Sequence, residues 1–506
     1  MKKIFLALSI ALICFVTGTC GEHLILLQTN DTHSQIDPDF DGKGGILRRK
    51  VLIDSVRNAQ KNVVLIDAGD AVQGTLYFSK FGGKVEFQLM DSLKYDIQIL
   101  GNHEFDIGID SIATFYKKLN ATKLSANYDF KGTKLEGEFL PYIIKEYNGK
   151  KVGFIGINLN PDGMISDDKC IGLKYRNAIV IADSIATMLK KDKNVDLTVV
   201  ISHIGYAADK KEMPYDIEMA QKSKNIDIIL GGHSHTVIDP NAKKSVDWNV
   251  KNADGKNVLI CQTGRAGKNL GYVDIDLDDL TSKYSLIPVD KRLDNRIDKS
   301  LEAWLKPYSE PVQILLNTTV ATSKKAMSNG RLGALTNFVA DAAVELAQEM
   351  TTEKVDFSIM NKGGIRQSMP KGNISLGLVE MMFPFDNKLV VMRIKGSDIL
   401  AGLKIMTVRN GDAISKGLKV CYDDEKDKIV SAKLNGEKIN KNKYYTIATL
   451  DYLAKGGDYM ASFKNGKIIA TSEYRFGELM LKYVKSLTKK GKLIDASDES
   501  RMYEVD

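Results

Sequence analysis

Gly101-Asn102-His103-Glu104-Phe105-Asp106, GNHEFD, directly follows the largely apolar run Ile97–Leu100. A strand that ends in a turn places its next side chains at the rim of a sheet, where a site can form. Asn102 offers a neutral oxygen to a metal ion, His103 an imidazole that titrates near neutral pH, and Asp106 a carboxylate to orient it. Because these residue types are also common in ordinary turns, the hexapeptide alone leaves a turn and a site both open.

The first half of the chain repeats this pattern of an apolar strand followed at once by polar residues of metal-ligand type. The polar stretches are 28–33, 67–70, 102–103, 202–203 and 231–235. Helix-like stretches separate the strands, and Asn177–Lys191 carries its apolar residues on roughly one face. Strands that alternate with helices indicate an α/β layered domain.

The positions of the histidines favour a site over a set of unrelated turns. Five of the six histidines lie just past a predicted strand end, and only His23 does not. These five are His33, His103, His203, His233 and His235. Independent core or surface histidines would not select one kind of position, so we expect these side chains to act together.

Residue types and spacing indicate a dinuclear metal centre. Asp31 and His33 are two residues apart, as are His233 and His235, so each pair points one way in an extended stretch. Asp70 is the best candidate for a bridging carboxylate, and cations that share one lie about 3.5–4 Å apart. Imidazole, carboxylate and amide ligands without thiolate favour Zn, Mn, Co or Fe over an all-oxygen Ca or Mg site.

Composition indicates a soluble, globular chain, and its charge is compatible with a small anionic substrate. The chain has 506 residues, of which 43% are apolar and 27% charged, and is long enough for two or more domains. Its formal net charge is +7, with basic side chains scattered among acids and no aromatic-interleaved basic stripe. This argues against a nucleic-acid polymer as partner and fits a small anionic substrate.

The first twenty residues have the features of a secretory signal peptide. Lys2 and Lys3 precede an apolar run, 4–16, that is too short to span a bilayer, and small residues follow at 17–19. We therefore expect export to a periplasm or a cell surface. The segment resembles a bacterial lipobox only loosely, so a lipid anchor through Cys20 stays open.

The remaining cysteines do not indicate a metal site. No CxxC pattern exists, so thiolate metal chemistry is not expected. Cys170, Cys261 and Cys421 allow at most one disulfide, and three free cysteines are an equal alternative.

Five motifs, in chain order, resemble those of the calcineurin-like metallophosphoesterases. They are DTH at 31–33, GD at 69–70, GNHE at 101–104 with an Asp two residues beyond, His203 after a strand, and GGHSH at 231–235. TNDTH, GNHEFD and GGHSH more narrowly resemble the 5′-nucleotidase branch. The resemblance implies one metal held by Asp31, His33, Asp70 and His235, and another by Asp70, Asn102, His203 and His233. It also implies that His103 and Asp106 form the catalytic dyad.

The second half lacks histidine and begins with a predicted helix. Arg296–Tyr308 has apolar residues at helical spacing, and Pro307 and Pro311 are expected to interrupt the helix. This stretch resembles the helix that connects the two domains of bacterial 5′-nucleotidases. The predicted divisions are a signal peptide at 1–20, a metallophosphoesterase domain at 22–293, a linking helix at 294–311 and a substrate-recognition domain at 312–506.

Three glycine-linked polar clusters in the second half adjoin predicted strands, at 361–366, 383–387 and 451–458. Two aromatics, an Arg and an Asp on such turns can form a base-stacking slot with a ribose acceptor, in which stacking contributes roughly 1–3 kcal/mol. The clusters also resemble the NGGGIR, PFxN and GGD blocks of the 5′-nucleotidase recognition domain. The matching residues are Asn361, Arg366, Phe385, Asn387, Tyr452 and Asp458.

The resemblance implies that Phe385 and Tyr452 sandwich the base, that Asp458 binds ribose hydroxyls and that Arg366 binds phosphate or ribose. The chain departs from the family pattern at two of these blocks. Lys362 replaces a usual Gly, Tyr452 stands where Phe is common, and no Gly follows Asp458. Arg331 is a further candidate ligand, although its segment is about two residues short of the family's spacing.

The sequence therefore predicts an α/β protein with an N-terminal layered α/β/β/α metallophosphoesterase sandwich, a linking helix and a C-terminal α/β nucleotide-recognition domain. The expected function is a secreted 5′-nucleotidase that uses two divalent ions, such as Zn or Mn. A UDP-sugar hydrolase or a 2′,3′-cyclic nucleotide phosphodiesterase of the same family is the alternative. A non-catalytic nucleotide-binding surface protein is disfavoured, because a pure binder need not keep His103 and Asp106. The metal, the preferred base and the oligomeric state stay open.

Overall fold

The structure, a computed structural model, describes residues 22–207, 214–423, 425–426 and 428–505. The predicted signal peptide and Cys20 lie outside these residues. The first strands are β1 (His23–Thr29), β2 (Asn62–Asp67), β3 (Ile97–Gln98), β4 (Thr122–Lys123), β5 (Tyr128–Asp129), β6 (Tyr142–Tyr147) and β7 (Lys150–Asn158). They are followed by β8 (Lys174–Tyr175), β9 (Leu197–His203), β10 (Ile228–Leu230), β11 (Asn249–Lys251), β12 (Asn257–Cys261), β13 (Asn269–Asp276) and β14 (Ser282–Pro288). The helices between them are α1 (Ile46–Ala59), α2 (Leu76–Phe81), α3 (Lys84–Ser92), α4 (Ile109–Tyr116), α5 (Ala178–Asp192) and α6 (Asp216–Lys222).

These strands form two six-stranded sheets that share one core. The first sheet has the order β14-β13-β1-β2-β3-β4, with β1 to β4 parallel. The second has the order β11-β12-β10-β9-β7-β6, with β12, β10, β9 and β7 parallel. Leu26 of β1 and Val199 of β9 are fully buried in the same apolar cluster. This layered arrangement explains why the strands read as continuous apolar runs, since parallel strands are covered on both faces.

A single long helix, α7 (Lys299–Asn317), follows the first domain. Pro307 and Pro311 lie inside it, so the prediction that they interrupt the helix is wrong. An interior proline removes a backbone hydrogen bond and costs about 3 kcal/mol or more. Leu301, Leu305 and Val312 are buried in the core of the first domain, and this packing holds the helix together through both prolines.

The second domain is a separate α/β unit that begins after α7. Its first elements are β15 (Thr319–Ser323), α8 (Ala334–Gln348), β16 (Phe357–Met360), β17 (Gly372–Ser375), α9 (Leu376–Met382), β18 (Lys388–Lys395), α10 (Gly396–Val408) and β19 (Ala413–Ile414). The remainder are β20 (Leu418–Asp423), β21 (Lys428–Leu434), β22 (Glu437–Lys438), β23 (Tyr444–Leu450), α11 (Asp451–Ala454), β24 (Lys467–Arg475), α12 (Phe476–Lys489) and β25 (Met502–Glu504). A five-stranded sheet, β19-β16-β23-β18-β24, and a four-stranded sheet, β22-β21-β20-β25, organise two further cores.

The two domains also pack directly against each other beside α7. α2 contacts both α7 and α9. Gly377 of α9 is so close to α2 that a Cβ added there would lie 2.8 Å from Cδ1 of Leu76. Among the residues that the structure describes, no helix combines the length and the apolarity that a membrane crossing requires.

Candidate active site

Loops at the ends of β1, β2, β3, β9 and β10 bring the predicted metal ligands together. In one group, the ligand atoms of Asp31, His33 and His235 all lie within 4.8 Å of one another. The same limit holds for a group of Asp70, His203 and His233, and for a group of Asp70, His33 and His103. Asp70 therefore lies between the two sets of predicted ligands, where a bridging carboxylate is expected.

Individual distances agree with this division into two neighbouring sets. Oδ2 of Asp70 lies 3.2 Å from Nε2 of His203 and 3.9 Å from Nε2 of His33. Oδ1 of Asp31 lies 3.4 Å from Nε2 of His235. The seventh predicted ligand, Asn102, joins the second set, because its Oδ1 lies 2.9 Å from Nδ1 of His233.

The backbone is strained at five of these side chains. The φ angles are 50° at Asp31, 48° at His33, 55° at Asp70, 73° at His233 and 55° at His235. A positive φ costs a residue with a side chain on the order of 1–3 kcal/mol, and such residues cluster at active sites. Backbone bonds between the loops hold this geometry: the N–H of Asp31 donates to the carbonyl of Gly69 and that of His33 to the carbonyl of Asp70, both at 2.9 Å.

Glu104 holds the loops after β2 and β3 against each other, a role that the sequence did not assign to it. Its buried carboxylate accepts hydrogen bonds from the backbone N–H groups of Asp70 (3.1 Å), Ala71 (2.8 Å) and Gly101 (2.5 Å). A Cβ on Gly101 would lie 2.1 Å from Oδ1 of Asp70, so only glycine fits there. The sequence signal for this role was that Glu104 belongs to the GNHE motif. The family resemblance assigns no role to this residue of the motif.

The donor set fits divalent cations. Nδ1 of His203 donates to the carbonyl of Ala68 at 2.6 Å, which leaves Nε2 as the lone-pair atom that faces Asp70. This Nε2 is buried without a hydrogen-bond partner among the described residues, as expected of a metal-ligating imidazole whose other nitrogen is fixed by a carbonyl.

Cys170, Cys261 and Cys421 are free, which agrees with the alternative of no disulfide.

His103 and Asp106 pair beside the ligand cluster. Both belong to a short 3-10 helix, His103–Ile107, and Nδ1 of His103 lies 2.9 Å from Oδ2 of Asp106. Burial lowers the pKa of His103, but the carboxylates of Asp106 and Asp70 more than offset this, so its pKa lies above the usual 6.5. The backbone N–H of His103 donates to Oδ1 of Asp70 at 2.9 Å, which ties the pair to the proposed bridging residue.

A cleft of about 550 Å³ between the domains joins this cluster to the second half of the chain. Its volume lies within the range of small-molecule sites, about 300–1,000 Å³. Its first-domain lining includes Asp70, Asn102, His103, Asp106, His233 and His235, and its second-domain lining includes Asn361, Arg366, Phe385, Asn387, Tyr452 and Asp458. Every predicted substrate residue except Arg331 therefore lines one cleft together with the metal cluster.

Side chains of the second domain reach the cluster itself. The rings of Phe385 and His103 stack, with centroids 5.8 Å apart and planes inclined by 28°. The guanidinium carbon of Arg366 lies 5.8 Å from the centre of the Phe385 ring, and Nη2 of Arg366 lies 3.4 Å from Nε2 of His33.

Comparison with known proteins covers both domains. The calcineurin-like phosphoesterase family matches residues 24–237, and the family of 5′-nucleotidase C-terminal domains matches residues 314–465. The chain is 27% identical to the 5′-nucleotidase of Bos taurus, over 95% of this chain and 90% of that protein. It is also 27% identical to the trifunctional nucleotide phosphoesterase protein YfkN of Bacillus subtilis (strain 168), over 95% of this chain but only 35% of that protein's length.

A solved structure matches the whole two-domain architecture. The 5′-nucleotidase precursor from Thermus thermophilus superposes with a TM-score of 0.84 at 29% identity, over 96% of this chain and 99% of that one. The chain belongs to the 5′-nucleotidase family of metallophosphoesterases. As a member of the 5′-nucleotidase family it is a phosphoric ester hydrolase, and its family uses divalent metals. The predicted fold class and family are thereby confirmed.

Arg331 is the one predicted substrate residue that the structure does not bring to the cleft of this 5′-nucleotidase family member. Its side chain is 70% exposed, and its Nη2 lies 3.2 Å from Oδ2 of Asp498. Asp498 also accepts a hydrogen bond from the backbone N–H of Ala334, at 2.9 Å, and so fixes the segment before α8 in this position. The segment of Arg331 is about two residues short of the family's spacing, and its side chain lies outside the cleft.

Arg409 and Asp412 lie next to Asp458, the predicted ribose-binding residue. The sequence analysis did not identify either of them as a site residue. Nη1 of Arg409 lies 2.9 Å from Oδ2 of Asp458, and the same guanidinium pairs closely with Asp412. Asp412 in turn accepts a hydrogen bond from the backbone N–H of Lys362 at 2.7 Å. Burial raises the pKa of Asp412, partly offset by Arg409, to about 6. No local motif connects the end of α10 with the segment after α11, so no sequence signal marked this contact.

Proposed function

We propose that this protein is an exported 5′-nucleotidase that binds two divalent ions and hydrolyses nucleoside 5′-monophosphates to nucleoside and phosphate. The observation that carries the proposal is that the ligand cluster and the aromatic, guanidinium and carboxylate side chains of the second domain line one cleft. Only a few bonds separate the base and the phosphate of a nucleotide. A substrate with both parts therefore fits a cleft whose two walls carry these different groups.

The ligand cluster supports two ions that share Asp70. Asp31, His33 and His235 would complete one site, and Asn102, His203 and His233 the other. When bound, such ions supply Lewis-acid stabilisation of phosphoryl charge and lower the pKa of water. Zn and Mn suit this mixture of imidazole, carboxylate and amide ligands.

The chain's own residues provide the remaining parts of the reaction. The guanidinium of Arg366, next to His33, is positioned for a phosphate oxygen. His103, oriented by its bond to Asp106, is positioned to give a proton to the leaving 5′-oxygen. Phe385 and Tyr452 offer faces for a base, and Asp458 offers a carboxylate for sugar hydroxyls, with Asn361 and Asn387 beside them.

Export to a periplasm or a cell surface is part of the proposal. Its support is the pattern of residues 1–20 in the sequence, together with the description of the Thermus relative as a precursor. Cys20 is the residue through which a lipid anchor would attach. The proposed substrate is a small nucleotide and not a nucleic-acid polymer.

The test is hydrolysis of AMP, UDP-glucose and 2′,3′-cyclic AMP by protein that has been stripped of metal and reconstituted with Mn²⁺ or Zn²⁺. Chromatography identifies the products, and metal analysis gives the stoichiometry. We expect metal-dependent release of adenosine and phosphate from AMP as the preferred reaction, with two ions bound per chain. Preference for UDP-glucose or for the cyclic nucleotide would support the corresponding alternative. Nucleotide binding without turnover of any substrate would support a non-catalytic binding protein.

A further inference from the structure

The carboxylate of Asp458 lines the substrate cleft with most of its hydrogen-bonding capacity already used by the protein. The hydroxyl of Tyr452 donates to Oδ1 at 3.0 Å. Nδ2 of Asn361 donates to Oδ2 at 3.0 Å, and Nη1 of Arg409 lies 2.9 Å from the same oxygen. Because a carboxylate offers about four lone-pair positions, these three donors leave one position, on Oδ1.

The Tyr452 hydroxyl is held in the donor role by two features. The backbone N–H of Asp458 donates to the phenol oxygen at 3.1 Å, and the hydroxyl hydrogen is directed to the charged Oδ1, at 3.0 Å, in preference to the carbonyl of Gly163, at 3.5 Å. Burial and the neighbouring Asp458 raise the pKa of Tyr452 well above its usual value, so the hydroxyl stays protonated. A phenylalanine, the residue common at this place in the motif that the segment resembles, would supply no such donor.

The other two donors are fixed as well, so the free position cannot move to Oδ2. The guanidinium of Arg409 lies between Asp458 and Asp412 and is anchored by both carboxylates. The side chain of Asn361 is buried, on the loop after β16. Sugar hydroxyls that enter the cleft therefore meet an acceptor that has room for one of them.

We infer that Tyr452 sets the sugar selectivity of the cleft: its hydrogen bond to Asp458 leaves one acceptor position, so the site accepts ribonucleotides and 2′-deoxyribonucleotides alike. The inference rests on the proposed function, because it takes Asp458 as the acceptor for the sugar. The vicinal diol of ribose donates two hydrogen bonds, whereas 2′-deoxyribose has only its 3′-hydroxyl to donate. A site with one vacant acceptor gains little from the second hydroxyl.

The test compares kcat/KM for AMP and dAMP in the full-length, metal-reconstituted protein and in its Tyr452→Phe variant. The substitution keeps the ring and returns one acceptor position to Oδ1. We expect the wild-type ratio of AMP to dAMP to be below about tenfold, because the site lacks a second acceptor. In Tyr452→Phe the ratio should rise at least about fivefold, since a hydrogen bond to a charged group contributes that much or more. Each ratio is taken within one protein, so a uniform loss of activity does not affect it.

Tyr483→Phe is the matched control. The Tyr483 hydroxyl also donates to a carboxylate, that of Glu345 at 3.0 Å, but neither residue lines the cleft. Its AMP to dAMP ratio should equal that of the wild type. An unchanged ratio in Tyr452→Phe would overturn the inference, and a lowered ratio would show that the Tyr452 hydroxyl itself binds the sugar.

Product inhibition of the wild type provides a measurement that does not depend on the folding of any variant. Adenosine and 2′-deoxyadenosine should have inhibition constants that differ by less than about tenfold. A preference of more than about tenfold for adenosine would contradict the inference, because it would require both hydroxyls to be bound. Failure of the proposed function would instead appear as the absence of phosphate release from AMP and dAMP by the wild-type protein.

Discussion

Replacing Gly163 by alanine tests whether contact between the domains positions the predicted substrate residues. Gly163 lies in the loop after β7 of the first domain, and its carbonyl oxygen is 3.5 Å from the hydroxyl of Tyr452. A Cβ at this position would lie 2.7 Å from Cδ1 and 3.1 Å from Cε1 of Tyr459. The loop therefore bears directly on the residue that follows Asp458.

The size of the effect follows from these distances. Ordinary van der Waals contact begins near 3.4 Å, so the Tyr459 ring must retreat by at least 0.7 Å to admit a methyl group. Asp458 has a positive φ of 53° and directly precedes Tyr459, so we expect the shift to reach its carboxylate. A misplacement of about 1 Å costs about 10²-fold in rate. We therefore expect kcat/KM for AMP to fall by about ten- to a hundredfold, and that for a small aryl phosphate by less than about threefold.

The assay measures kcat/KM for both substrates, together with the melting temperature. Gly255→Ala is the control, because Gly255 has the same φ of +76° as Gly163 but nothing within 4 Å of an added Cβ. Alanine in this conformation costs about 1–2 kcal/mol at either position, so the control reproduces the backbone strain without the clash. If Gly163→Ala hydrolyses AMP as well as the control does, or loses both substrates equally, the domain contact does not position the nucleotide.

Three further variants test the metal centre, the dyad and a buried carboxylate. Asp70→Asn should lower kcat by orders of magnitude in a folded protein, because it removes the charge that two cations would share; near-normal turnover with both metals retained would refute the dinuclear assignment. His103→Asn should slow turnover about 10²–10⁴-fold with unchanged metal content, whereas loss of one metal equivalent would identify His103 as a ligand. Burial raises the pKa of Glu86 to about 7, from 4.5 for an exposed Glu, because the folded protein favours the protonated carboxyl group. The resulting contribution to the free energy of unfolding is fully present below pH 4.5 and is lost as the pH rises to 7. This loss amounts to about 3 kcal/mol, and Glu86→Gln should abolish it. Urea unfolding at pH 4.5 and pH 8 measures the difference, and an equal pH dependence in the variant and the wild type would contradict the assignment.

The parts of the site that could be predicted are those encoded by local sequence. Each predicted metal ligand ends a strand or follows one within a few residues, and parallel strands present their carboxyl ends at one edge of a sheet. Asp31 with His33, and His233 with His235, could therefore be placed together without knowledge of the intervening chain. The alternation of apolar strands and amphipathic helices likewise predicted the layered α/β architecture, which the structure confirms.

The parts that could not be predicted depend on tertiary contacts without a local motif. Arg409 reaches Asp458 only because the end of α10 lies beside the segment after α11. The continuity of α7 through Pro307 and Pro311 depends on the core that its apolar face meets, which overrides the local preference of proline. Arg331 had the right residue type near the right motif, but its position is fixed by Asp498, more than 160 residues later in the chain.

The contact between His103 and Phe385 constrains how a nucleotide can lie in the cleft. Ring atoms in contact lie about 3.5–4 Å apart, so a base inserted between these two rings would need about 7 Å or more. The observed centroid distance is 5.8 Å, which leaves no room for a base on that face of Phe385. A base stacked on Phe385 would therefore have to lie against the opposite face of its ring.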